Sequence, residues 1–123
     1  MMDHVGINCA DLQVAGDFYD TVLATLGQHR LMDFGTAIGY GATTPDFWIS
    51  TFEGIGPNRE VHLAFTARDA ATVRAFFDAA VGVGAEVLHE PRLWPEYHER
   101  YYGAFVRDHD GNNVEAVCHS GED

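Results

Sequence analysis

The chain has 123 residues, of which 46 % are apolar and 21 % charged, and a formal net charge of −12, the profile of a soluble globular protein long enough to bury a core. That acidity argues against phosphate backbones and anionic membrane surfaces as partners, and no run of about 18 apolar residues is present to span a membrane. The opening stretch lacks the basic and apolar segments of a leader, and Cys9 and Cys118, each among apolar neighbours, predict two buried, reduced thiols and a cytoplasmic protein rather than a disulfide framework.

Residues 3–10 alternate: Val5, Ile7 and Cys9 fall on one face, His4, Gly6 and Asn8 on the other, the pattern of a half-buried strand. Asp11 is placed to cap a helix over 12–26, where Val14, Phe18, Val22 and Leu26 recur every four residues and Gly27 ends the run. Short strands are expected over 28–33, 36–41 and 47–52, and the breaker-rich segment that follows reads as a linker over 54–59. The order then repeats. Residues 60–66 predict a strand with Val61, Leu63 and Phe65 on one face and His62, Ala64 and Thr66 on the other. Asp69 caps a helix over 70–81, 85–89 is a strand and 91–100 a loop. Two last strands flank the turn Asp108-His109-Asp110-Gly111-Asn112-Asn113, which is dense in residues that bond their own backbone or accept positive φ. The outcome is an α+β chain of two βαβββ modules, about 1–53 and 60–120, in a single domain over 1–123, a repeat of architecture rather than of sequence identity.

Glu115 stands in the middle of the last strand, between Val114-Ala116 neighbours that are otherwise apolar. A carboxylate there needs water, a hydrogen-bond donor or a cation beside it. Two answers are open: a wet sheet face, or a metal ion shared with His4 and His62, which occupy the same place on the polar face of the first strand of each module.

These residues resemble the vicinal oxygen chelate superfamily, which includes glyoxalase I, extradiol dioxygenases, fosfomycin-resistance thiol transferases and bleomycin-resistance proteins. The resemblance rests on Asp3-His4-Val5, Asp17-Phe18-Tyr19, Val61-His62-Leu63-Ala64-Phe65 and, most specifically, the stretch from Phe105 to Glu115. It implies that the paired βαβββ modules form an eight-stranded, incompletely closed barrel with the helices outside. It also implies one divalent metal ion (Fe, Mn, Ni or Zn) bound by His4, His62 and Glu115. The fourth ligand position falls at about Trp48, which cannot ligate. Two imidazoles and one carboxylate leave open positions on the metal for a substrate with vicinal oxygens. The resemblance therefore implies a lyase, isomerase or dioxygenase acting on a small molecule, in a homodimer that can share its pocket between subunits. A metal-free, bleomycin-resistance-like protein that sequesters a small ligand is the competing reading, and Trp48 favours it.

The loop Trp94-Pro95-Glu96-Tyr97-His98-Glu99-Arg100-Tyr101 is aromatic enough to roof such a pocket. His98 and Tyr101 are its candidate proton-transfer groups. Trp48, Phe52, Trp94 and Tyr97 are candidate substrate contacts, with packing against each other or the core as the alternative. His29, His89, His109 and His119 read as surface histidines.

Overall fold

The computed structural model describes residues 2–51 and 56–123; Phe52 lies outside them. The first module contains β1 (Val5–Asn8), α1 (Leu12–Ala24), β2 (His29–Asp33), β3 (Ala37–Gly41) and β4 (Phe47–Ser50), and the second β5 (His62–Thr66), α2 (Ala70–Gly82), β6 (Glu86–Leu93), β7 (Tyr102–Arg107) and β8 (Asn113–Cys118). Each makes its own four-stranded mixed sheet, in the order β1-β4-β3-β2 and β5-β8-β7-β6. In both, the first and last strands of the module pair in parallel at one edge of the sheet and the other pairs are antiparallel. Among the described residues, the eight strands of one chain therefore form two sheets and no closed barrel.

Local chemistry explains the helices. The Asp11 carboxylate accepts from the Val14 amide and that of Asp69 from the Thr72 amide, each satisfying an orphan donor of the first turn. Each helix lies on its own sheet and the two touch. Phe18, Tyr19, Val22 and Leu23 of α1 and Phe76 and Ala80 of α2 join Ile49, Val106, Val114 and Ala116 in one core. Phe47 and Phe65 meet edge to face within it, 5.2 Å apart, across the two sheets. The apolar faces of both sheets are thus spent on this shared core, and the opposite faces, carrying the expected site residues, turn away from it.

The loop expected over 91–100 is shorter than that: β6 runs on through Pro91 to Leu93. Pro91 is tolerated because β6 is an edge strand, where a missing N–H costs no ladder bond, and register shifts between Val87 and His89 and between His89 and Arg92 re-aim its end.

The turn after β7 ties the halves together. Asp108 is buried and accepts from the Tyr19 hydroxyl at 2.6 Å, from the amides of Asp110 and Asn112, and from the Asn112 side-chain amide. Asn112, fully buried, accepts in turn from the Asn58 side chain and the Val61 amide. Asp110 accepts from the Ala10 amide just after β1. One turn of the second module thereby holds α1, the end of β1 and the approach to β5. Cys9 and Cys118 are buried and unpaired, as expected.

Candidate functional site

The site is built where β5 and β8 run side by side. Their register sets Ala64 opposite Glu115, and β7 sets Phe105 opposite Glu115 on the other side. Strand alternation puts Val114, Ala116 and Cys118 in the cores and Glu115 on the other face. Small Ala64 leaves room for His62, two residues earlier on β5, to reach diagonally across to the carboxylate. His62 Nε2 lies 3.0 Å from Glu115 Oε1. Tyr101, just before β7, donates its hydroxyl to Glu115 Oε2.

Glu115 is only 1 % exposed, so the wet-face answer fails for this carboxylate. It stands among apolar side chains because both its oxygens accept a hydrogen bond, one from an imidazole N–H and one from a phenol. The Tyr101 hydroxyl is pushed well above its ordinary range, first by desolvation and then by the hydrogen bond and charge of Glu115. It remains a donor at any physiological pH.

His62, Tyr97, Tyr101, Phe105 and Glu115 line an open cleft of about 380 Å³. Phe105 lies nearly parallel to the His62 ring, centroids 6.0 Å apart. Trp94 is buried behind it, donating Nε1–H to the Gly103 carbonyl at 3.0 Å and meeting Phe105 edge-on at 5.1 Å. Arg92 sits 3.4 Å over the Trp94 ring and pairs with Glu96. Tyr97 stacks on Trp94 and leans on Tyr101, so the aromatic loop forms one wall.

The other expected residues lie elsewhere. His98 is not among the cleft residues: its Nε2 is 2.8 Å from His119 Nδ1, and its Nδ1 accepts from the Arg100 amide. His4, exposed, contacts Asp3 at 2.7 Å at the edge of the first sheet. Trp48 takes in the first sheet the place Glu115 takes in the second, since β1 sets Gly6 and β3 sets Gly39 opposite it. The indole lies across Gly39, where an added Cβ would come within 2.8 Å of the ring, and stacks on Phe34 at 5.9 Å. His29, His89, His109 and His119 are exposed.

Phe105 was legible only by parity. In the apolar run Ala104-Phe105-Val106 it alternates away from two core residues, but an apolar side chain in such a run reads as core. Gly103 carried no signal at all, yet a Cβ there would lie 3.2 Å from Glu115 Oε2 and 3.3 Å from the Ala116 carbonyl.

The family model for a glyoxalase-like domain matches residues 4–117. The chain belongs to the glyoxalase-like family, within the vicinal oxygen chelate superfamily. A glyoxalase/bleomycin resistance protein from Albidiferax ferrireducens T118 superposes on this glyoxalase-like chain with a TM-score of 0.83 at 28 % identity, over 94 % of this chain and 96 % of that one. A lactoylglutathione lyase from Agrobacterium tumefaciens shares the fold at TM-score 0.70 and 21 % identity, over 95 % and 92 % of the two chains. So does a fosfomycin resistance protein from Mesorhizobium loti, at 0.69 and 14 %, over 95 % and 90 %. No curated protein matches the chain.

The superfamily is associated with a divalent metal, and the donors present bear on it directly. Two ligands at right angles on a metal with bonds of about 2.1 Å stand about 3 Å apart. The 3.0 Å between His62 Nε2 and Glu115 Oε1 is that spacing, and Tyr101 leaves a single Glu115 oxygen to bind. These two residues fit as half a site. Among the described residues of one chain, no three His, Cys, Asp or Glu side chains gather closely enough to hold an ion.

Proposed function

We propose that the chain is a metal-dependent lyase or isomerase acting on a small molecule with two neighbouring oxygens, working as a homodimer in the cytoplasm. His62 and Glu115 of one copy and His4 of a second copy would hold the ion. The observation that carries this reading is the convergence of an imidazole nitrogen and a buried carboxylate oxygen from separate strands on one open cleft. The fold supports the dimer: one chain turns its two outer sheet faces away from a shared core, and a second copy would set a first-module face over a second-module face. The first-module face offers apolar surface for that contact, with Phe34 66 % exposed beside Trp48.

When bound, the ion supplies Lewis acidity toward the paired oxygens of the substrate. The residues of this chain do the rest. Phe105, Tyr97 and Tyr101 shape an apolar wall that orients the substrate and thins the water around it. Glu115, held by Tyr101, presents one oxygen, and His62 presents Nε2.

A second reading, a metal-free protein that sequesters a small aromatic ligand, is favoured by one specific observation. Both oxygens of Glu115 are already satisfied within the chain, and the Trp48 near which the resemblance sets the fourth ligand position agrees with it. Metal analysis of protein purified without chelator separates the two. The enzyme reading expects close to one equivalent per pocket and loss of binding in His62→Ala. Less than about a tenth of an equivalent, with no uptake of added Mn, Fe, Ni or Zn, removes it in favour of sequestration. Turnover of the glutathione–methylglyoxal adduct, oxygen uptake with catechol and conjugation of fosfomycin, assayed side by side, then choose the reaction; ring cleavage of catechol would replace the lyase assignment by a dioxygenase.

A further inference from the structure

We infer that Tyr101 is a positioning residue for Glu115: its hydroxyl locks one carboxylate oxygen so that only the other faces His62 and the cleft. Three observations carry this. First, the carboxylate has one donor on each oxygen, His62 on Oε1 and Tyr101 on Oε2, and at 1 % exposure it has no solvent to replace either. Second, the space is cut for this pairing. Gly103 lies under it, and a Cβ there would press on Glu115 Oε2, on the Ala116 carbonyl and on the Tyr101 ring edge, at 3.2, 3.3 and 3.4 Å. Third, the Tyr101 ring is held from several sides. It packs against Tyr97 at 4.9 Å, His98 at 5.5 Å and His119 at 5.4 Å, while its carbonyl accepts from the Trp94 amide at 2.8 Å.

The hold on the ring reaches beyond the sheet. His98 is bonded to His119, the Arg100 guanidinium donates to the Ser120 carbonyl, and the Gly121 amide donates to the Arg100 carbonyl. The segment after β8 is thus clasped to the segment before β7, with the Tyr101 ring between them. A carboxylate free at both oxygens can chelate an ion with both or rotate away from His62. One pinned by a phenol can do neither.

The consequence for metal geometry rests on the reading under Proposed function; the consequence for Glu115 itself does not. The test uses the full chain and its Tyr101→Phe variant, which keeps the ring and its packing and removes only the hydroxyl. In chelator-treated crystals the variant is expected to show Glu115 turned, with the Oε1–Nε2 separation beyond hydrogen-bond range, about 3.5 Å or more. An unchanged carboxylate overturns the inference, whatever the protein does with metals. Should the variant fail to fold, Gly103→Ala puts the same question by crowding Oε2 and the Tyr101 ring edge so that the phenol moves off the carboxylate, and a His62–Glu115 contact undisturbed although the phenol has moved overturns it equally. Loaded with Co(II), the variant is expected to change the visible absorption of the bound ion as Glu115 goes from one oxygen to two, and an identical spectrum counts against the lock. If neither protein takes up Co(II), the metal-enzyme reading fails while the crystals still decide the role of Tyr101.

Discussion

The two sheets share one topology, and their polar faces carry opposite choices at equivalent positions. In the second sheet a buried carboxylate, Glu115, stands between Ala64 and Phe105. In the first, a broad indole, Trp48, stands between Gly6 and Gly39. The histidines that begin each pattern differ in the same sense, since His62 meets an acid across the sheet while His4, among the described residues, meets its neighbour Asp3. One scaffold therefore presents a polar, ligand-bearing face and an apolar, aromatic one. The size of the flanking residues decides which: Gly39 leaves room for the indole to lie flat, and Ala64 leaves room for a histidine to cross to its acid.

The strongest way to break this comparison is to delete the acid. Glu115→Ala or His62→Ala is expected to weaken divalent-metal binding by about 100-fold or more, beyond the loss that an outer hydrogen-bond partner brings, whereas Trp48→Ala leaves it within about twofold. Calorimetric titration with Mn(II) reads the difference, and equal losses in all three would erase the distinction between the faces.

Alkaline pH strains the first module, which holds Cys9, Tyr19 and Tyr40. Burial, aided by the carboxylates of Asp110, Asp108 and Asp11, raises the Cys9 thiol from 9.0 to about 11. Burial and the Asp108 carboxylate push the Tyr19 hydroxyl well above its usual range, and burial with Asp20 does the same to Tyr40. Each group keeps its proton in the fold at a pH where the unfolded chain has released it. Their contribution is therefore complete below about pH 9 and is lost progressively as pH rises through the folded values. Urea midpoints from pH 7 to 11 should stay level on this account up to about pH 9 and then fall; a rise above pH 9 would contradict it.

Removing one phenol at a time sharpens the contrast. Tyr19→Phe leaves buried Asp108 short of a donor from across the modules, at a cost of about 1–3 kcal/mol. Tyr40→Phe should cost less, since Asp20 keeps its pairing with Arg30 at 2.8 Å. Equal losses in chemical denaturation would mean that the turn at Asp108 does not depend on α1. The smallest effect is expected from Gly39→Ala, about 1 kcal/mol, at the low end of overpacking because the indole can swing off the sheet. Acrylamide quenching follows the swing through Trp48, Trp94 being buried, and unchanged quenching would show that glycine is not what lets the ring lie flat.

Much of this was legible along the chain. Both capping aspartates, both helices and the alternation that sends Leu63 and Phe65 inward were read from residue spacing, which is local physics. The shared address of His4 and His62 followed from the same parity. The length of β6 was not, because a proline reads as a break unless the strand is known to lie at an edge. Nor was the role of Phe105 or Gly103, whose meaning depends on what faces them across a ladder.

By itself the sequence determined the two-module order and the strand face on which His4, His62 and Glu115 sit, because helix and strand periods are set by the backbone and act over a few residues. Only the tertiary structure decided that Glu115 is sealed from water between His62 and Tyr101, and that one chain parts His4 from them. Those outcomes depend on strand register and on a core shared by both sheets, which bring together residues dozens of positions apart.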